Sequence, residues 1–331
     1  MTPMSGQRPR KPGSGQRTRK PAPAPVAATD AAEAKAKRRA AAEAAAEKAR
    51  VEAQRRARRR RNQLLTWTSI GLVVVAVAVL VVVKLTAKPP PEGSGISAAD
   101  PAVVSTITSL PLSVLDEVGD GGVPQNFYLP AGKPALLTEN GLPRVLYVGC
   151  LFCPFCAAQR WAIVAALSRF GTFTGLQYLV SAKKGETVQS IHTFDLSGVT
   201  YTSSYLVFSP FETEDRNHKP LQALGVTDSA LLSTYDAPPT LPQGASSGTI
   251  PFLDIGNRWV VSSASYEATL LEGKSWAEIA SAASKGTGVG RQIVGTANWL
   301  TAAICSLTAN KPPEVCSDPL IAKLQARLPS Q

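Results

Sequence analysis

The sequence predicts an α/β fold with a helical C-terminal third, and three observations carry that reading. First, the apolar run RVLYVG (144–149), a helical stretch from Cys153 to Phe170 and the β-rich run GLQYLVSA (175–182) follow one another as strand, helix, strand. Second, YTSSYLVFS (201–209) is followed by a late pair of runs, IPFLDI (250–255) and RWVVSS (258–263), the pair separated by Gly256-Asn257, a dipeptide suited to a tight turn. Third, WAEIASAAS (276–284), QIVGTANWLTAAICSLT (292–308) and PLIAKLQARL (319–328) carry helical spacing and are expected to pack over the sheet. Together they argue for an α/β sandwich.

Ahead of that domain the chain is of a different character. Residues 1–61 hold 18 of the 35 Lys and Arg but only 5 of the 24 Asp and Glu, so the net charge of +11 describes a tail. Residues 1–29 are Pro, Gly, Ser and basic residues with little to bury, which predicts disorder. From Asp30 to Arg61 the composition turns to Ala, Glu, Lys and Arg, with Glu33/Lys37 and Glu52/Arg56 at supportive spacing. That predicts a solvated helix with no apolar stripe.

LLTWTSIGLVVVAVAVLVVV (64–83) is 20 residues without a charge, long enough to cross a bilayer once at roughly 1.5 Å per residue. A cleaved signal peptide is the rival reading, but the leader and the apolar run are both long for one, and LTA at 85–87 is a faint cleavage signal. Arg55, Arg56 and Arg58 to Arg61 precede the span, and only Lys84 and Lys88 follow closely. This asymmetry predicts a cytoplasmic N-terminus and a single-pass cell-membrane protein with its C-terminal domain outside. The expected organisation is a basic tail (1–63), a transmembrane helix (64–83), a linker around KPPPEGSG (84–98) and an extracytoplasmic domain (99–331). The tail lacks aromatic residues interleaved with its charges, so no nucleic-acid partner is expected.

Inside the outer domain, Asp100-Pro101 supplies an N-cap and a first-turn proline for a short helix. The helix after RVLYVG places Ala158, Trp161, Ala162, Ala165 and Leu167 largely on one side. The chemistry concentrates just before it, in YVGCLFCPFCAAQRW (147–161), where Cys150, Cys153 and Cys156 follow one another at C-x2-C-x2-C spacing. A bacterial iron–sulfur run would continue with a fourth cysteine after three intervening residues, where Arg160 stands. His192 and His218 lack the paired spacing of a zinc site, so neither metal nor other cofactor is expected.

Among the three sulfurs, Cys153-Pro154-Phe155-Cys156 reads as the redox pair. Pro154 suits the first helical position, which sets Cys153 at a helix N-terminus, where unpaired amides and the helix dipole favour the thiolate. Cys156 lies one turn deeper and would resolve a mixed disulfide. Cys150, at a strand end, has no dipole acting on it and stands as a third redox participant or a small core residue. A bridge between such close neighbours constrains the unfolded chain little, which weakens a purely structural purpose for the pair. Cys305 and Cys316 enclose SLTANKPPEV and are expected to form a structural disulfide, with an electron relay as the alternative.

A strand leading into CPFC at a helix start resembles the active site of the thioredoxin superfamily, in its DsbA-like and glutaredoxin-like members. In that superfamily a cis proline stands beside the cysteines, and GTIPFLDIGNRW supplies Ile250-Pro251 at the head of a strand. The resemblance implies a thioredoxin-like domain with a helical insertion, C-terminal helices, and an extended substrate held at Ile250 and Pro251. More narrowly, VLYVGCLFCPFCAAQRWAI, HTFDLSGVTYTSSYLVFSPFE and GTIPFLDIGNRW resemble a membrane-anchored group catalogued as domain-of-unknown-function family 929, over about residues 100–325.

The chain departs from these patterns in three places. Thioredoxin relatives place a buried carboxylate six residues before the first cysteine, where this chain has Tyr147. The narrower group often has Ala-Glu at the positions of Cys150-Leu151. The interval from Cys156 to Pro251 is long and includes FETEDRNHKP, expected to shape a partner or substrate surface. Asp254 is the nearest substitute carboxylate, although a solvent-facing side chain is expected there. His192 and His218 read as loop or surface residues, Trp161 and Trp276 as core. The functional expectation is a thiol-disulfide oxidoreductase acting as oxidase or isomerase on exported protein clients, with a membrane partner resetting the pair. The alternatives are a non-catalytic binding module with a permanent disulfide and a structural anchor of the envelope.

Overall fold

The structure, a computed structural model, describes residues 94–243 and 246–330, which belong to one compact unit, Pro89–Gln331. The basic tail, the apolar run at 64–83 and the linker as far as residue 93 lie outside the described residues. Among the described residues no helix is long and apolar enough to cross a membrane.

In chain order the elements are β1 (Ile96–Ala98), α1 (Pro101–Thr108), α2 (Leu112–Val118), β2 (Phe127–Tyr128), β3 (Thr138–Glu139), β4 (Leu142–Gly149) and α3 (Pro154–Leu167). Then come β5 (Gly171–Thr174), β6 (Gln177–Val180), β7 (His192–Asp195), β8 (Thr200–Ser203), β9 (Val207–Glu212) and α4 (Val226–Tyr235). The hairpin β10 (Phe252–Ile255) and β11 (Trp259–Ser262) precedes α5 (Trp276–Ser284), α6 (Val289–Leu307), α7 (Pro313–Cys316) and α8 (Pro319–Gln325). The architecture is mixed α/β.

The principal sheet runs β2-β11-β10-β4, with β9 on the other side of β4 and β3 paired to the start of β4. β4 and β9 are parallel, and β10 is antiparallel to β4. Two smaller sheets, β1-β6-β7 and β5-β8, are both antiparallel. Beyond α3, the interval as far as Pro251, expected as a helical insertion, instead carries five strands, β5 to β9, and one α-helix, α4, among the described residues. Its Thr-, Tyr- and Phe-rich runs at 171–203 favour a pleated, half-buried surface over a helix. The end of the expected linker also differs: Ile96–Ala98 pairs with Gln177–Leu179, a three-residue strand that owes its conformation to its partner.

Local signals explain where the helices begin. The Asp100 carboxylate accepts from the Ala102 N–H, Ser275 and Glu278 form a reciprocal capping box, and Asp318 accepts from Leu320 and Ile321. α3 departs from the one-sided pattern. Nearly all of it is buried, Gln159 and Arg160 included, because α6, β7 and α1 all pack against it. Its alanines permit close approach, while Trp161 fills the space toward Phe194 and donates its indole N–H to the His192 carbonyl at 3.0 Å. On the other face of the sheet, α4 covers Leu146, Val148, Phe252 and Val260 with Tyr235, Leu231 and Leu232.

Cys305 and Cys316 are joined by a disulfide between α6 and α7. The neighbouring Leu307 packs on Gly256, whose N–H donates to the Arg144 carbonyl. That end of the sheet lies five strand residues from Gly149, roughly 17 Å at 3.3 Å each, so the bridge sits away from the other cysteines. The double substitution Cys305→Ser/Cys316→Ser is expected to lower unfolding free energy by about 3 kcal/mol in the chain-entropy account. Urea denaturation of oxidised wild type and variant checks this.

Candidate functional site

The chain leaves β4 at Gly149, turns through Cys150–Phe152 and enters α3 at Pro154. Cys153 is the N-cap of α3, and its sulfur accepts from the Cys156 N–H at 3.3 Å. Proline at the next position has no N–H to leave unpaired and a φ already suited to the first turn. The structure gathers Cys150, Cys153 and Cys156 with Phe152, Phe155 and Ile250 into one apolar cluster. The Ile250-Pro251 bond is cis, and the Ile250 carbonyl oxygen stands 3.9 Å from the Cys153 sulfur. Both residues are buried, Cys153 at 4 % exposure and Cys156 at 0 %, so of the pair only Cys153 keeps any surface.

Their environments push the thiols apart. The Cys156 thiol, hydrogen-bonded to the Cys153 sulfur, holds the Cys153 pKa below that of an ordinary cysteine against the effect of burial. The amides of Cys156 and Phe155 and the charge of Arg160 add to that effect. Cys156 is pushed well up, first by burial and then by its role as donor to Cys153. Burial also raises the Cys150 thiol, to about 11, despite its 3.1 Å hydrogen bond with the Thr213 hydroxyl. Of the three, Cys153 is the thiol most disposed to ionise, the only one whose pKa is lowered and not raised.

Behind the sulfurs lies a charged pair with no exposure. Arg160 donates from Nε and Nη2 to the two Glu212 carboxylate oxygens at 2.8 and 2.7 Å, and from Nη2 to the Cys150 carbonyl at 2.7 Å. Burial opposes the guanidinium charge, but Glu212 outweighs it and Arg160 stays protonated. Burial raises the Glu212 pKa against the opposing pull of Arg160. The Tyr147 hydroxyl is buried beside this pair with no hydrogen bond of ordinary geometry, and burial raises its pKa strongly. It also reaches under Gly149, where any side chain would strike it and come within 3.2 Å of the Cys156 sulfur. Glycine is thus required at 149 by close approach.

Glu212 closes β9, aligned with Gly149 across the parallel pair. The FETEDRNHKP segment that follows lies directly on the cysteine turn. The Thr213 N–H donates to the Gly149 carbonyl at 2.8 Å, the Leu151 N–H to the Glu214 carbonyl at 2.9 Å, and the His218 ring rests on Phe152 with centroids 3.9 Å apart. Asp254, expected to face solvent, is instead fully buried. It alternates with Leu253 and Ile255 and so points to the α4 face, opposite Tyr147, where burial raises its pKa to about 7. Glu212, by contrast, is a fully buried carboxylate on the cysteine side. His192 is a packing residue, its ring on Trp276 and its Nδ1 2.6 Å from the Lys274 carbonyl.

Sequence reasoning missed Arg160 and Glu212 as partners. The available signal was a charged residue one turn beyond Cys156 on a helix that, apart from Gln159, is made of apolar and small residues.

The fold and this site define a mixed α/β protein with a differentiated cysteine pair at a helix N-terminus. The chain belongs, more particularly, to the family described as Domain of unknown function (DUF929), whose model matches residues 132–306, more than half of its length. No curated protein and no solved structure matches it.

Removing one member of the buried pair strands the other's charge. Arg160→Met alone and Glu212→Gln alone are each expected to cost about 3–5 kcal/mol of stability, and Arg160→Met/Glu212→Leu much less than their sum. Chemical denaturation of the three variants measures the difference.

Proposed function

We propose that this domain is a thioredoxin-like thiol-disulfide oxidoreductase, with Cys153 as the attacking sulfur and Cys156 as the resolving one. The observation that carries the reading is the opposed tuning of two sulfurs one helical turn apart: Cys153 capping the helix with a lowered pKa, Cys156 buried with a raised one. The strand order β9-β4-β10-β11, with β4 and β9 parallel and α3 in the crossover, agrees with a thioredoxin-like core. So does the proximity of Ile250 to Cys153.

In the reducing direction, the Cys153 thiolate attacks one sulfur of a client disulfide. A mixed disulfide forms and the client's other sulfur leaves as thiolate. Cys156 then loses its proton and attacks the Cys153 sulfur, releasing the second client thiolate and leaving the Cys153–Cys156 disulfide. The client gains two electrons and the protein loses them. Oxidation of a client runs the same steps in reverse. Glu212 is the group this reading assigns to accept the Cys156 proton, since its carboxylate is buried with a raised pKa. Arg160 favours both thiolates by its charge. Cys150, with its thiol raised to about 11, takes no part in exchange and serves through its carbonyl, which holds Arg160.

The reading also includes the anchor. The apolar run at 64–83 and its basic flank support a single span with the domain outside the cytoplasm. Exported proteins are then the clients, and a membrane partner resets the pair. Neither metal nor organic cofactor is required by this chemistry.

Two outcomes are expected. The full chain catalyses insulin reduction or disulfide refolding; Cys153→Ala abolishes that activity and Cys156→Ala accumulates mixed disulfides. Absence of all three would favour a binding module with a permanent bridge. In spheroplasts, added protease should digest a C-terminal tag and spare an N-terminal one, and the opposite pattern would refute the proposed topology.

A further inference from the structure

Beside the cysteine turn lies a pocket of about 400 Å³ lined by Ala182, Lys183, Lys184, Arg216, Asn217 and His218. Its walls carry three cationic side chains and a histidine, and no carboxylate. Two of its walls are tied to the residue next to Cys153. The Ala182 N–H donates to the Phe152 carbonyl at 3.0 Å, and the His218 ring lies against the Phe152 ring. Phe152 in turn packs within the cysteine cluster. The pocket and the candidate redox site therefore share a wall one residue thick.

The charge of this pocket that is not paired among the described residues is that of its two lysines. Glu186 and Glu214 come within 3.9 and 4.0 Å of the His218 ring. Lys183 and Lys184 are exposed and form no ion pair among the described residues. Arg216 is nearly buried and donates to the Ser181 carbonyl at 2.9 Å, which fixes that side of the pocket. Two solvated lysines on an open face would say little. Here they stand in a concavity backed by Phe152, so a ligand that engages them also lies against the cysteine turn.

We infer that this pocket receives an acidic side chain of the client polypeptide, one to three residues from the client's cysteine, and makes the site selective for acidic flanks. An extended chain advances roughly 3.3 Å per residue, so an acid at that interval reaches past Phe152 while its cysteine stays at Cys153. Opposite charge at such a rim raises encounter rate and affinity, and salt weakens both. The inference rests on the oxidoreductase reading only for what the pocket serves.

The test keeps the two separable by using peptides that cannot exchange. Fluorescent peptides with serine in place of a central cysteine, flanked by Asp and Glu or by Lys and Arg, are titrated against the full chain. The acidic peptide is expected to bind about tenfold more tightly than the basic one, with the preference shrinking as salt rises and reversing in Lys183→Glu/Lys184→Glu. Equal binding of the two peptides, no binding of either, or a preference that survives the double substitution would overturn the inference. Insulin reduction by wild type is unaffected by any of these outcomes and reports separately on the redox reading. A free dicarboxylate that displaces the acidic peptide at equal concentration would assign the pocket to a small anion, and would also overturn it.

Discussion

A helix that begins on a sulfur organises this domain. Cys153 ends the turn after β4, and its side chain takes the hydrogen bond that a serine or aspartate would take at an ordinary N-cap. Pro154 makes the helix start there and not a residue earlier or later. With the first turn fixed, Cys156 points inward and Arg160, one turn on, falls beneath it. The differentiation of the two sulfurs follows from capping geometry, since one accepts hydrogen bonds at the helix end and the other is enclosed.

A buried cation below a cysteine turn has to be answered. Glu212 answers it from a strand 52 residues away, held in place by the parallel pairing of β9 with β4. Arg160 also holds the Cys150 carbonyl, so one guanidinium joins helix, turn and strand end. Such a pair contributes little net stability relative to apolar packing, but losing either partner costs several kcal/mol. The pair therefore acts more as a constraint on geometry than as a source of stability. It also leaves Tyr147 and Gly149 little freedom: the phenol occupies the space a side chain at 149 would need.

Much of the scaffold could be read from the chain because its signals are local. The caps at Asp100, Ser275 and Asp318 mark helix starts, and Gly256-Asn257 marks the hairpin whose Asn257 adopts positive φ. Pro154 marks the helix entry that sets Cys153 apart from Cys150. What escaped is non-local. No periodicity indicates that Glu212 faces Arg160, because that contact depends on the register of two strands brought together by a long crossover. Asp254 was misread because alternation alone suggests a solvent face, whereas α4 covers that side of the sheet. The helical insertion before Pro251 came from the family resemblance, whereas the β-branched and aromatic content of that interval favours the strands found there.

The account stands on the ionisation of one sulfur. The direct measurement is the pH dependence of alkylation at each cysteine of the reduced full chain, resolved by peptide mass spectrometry. A thiol whose pKa is lowered reacts through its thiolate down to a lower pH, so Cys153 should react first and its rate should fall away only below the usual cysteine pKa of about 8.5. Cys150 and Cys156 should stay protected until the solution is strongly alkaline. An inflection for Cys153 at or above that of free cysteine, or faster reaction at either neighbour, would contradict the account.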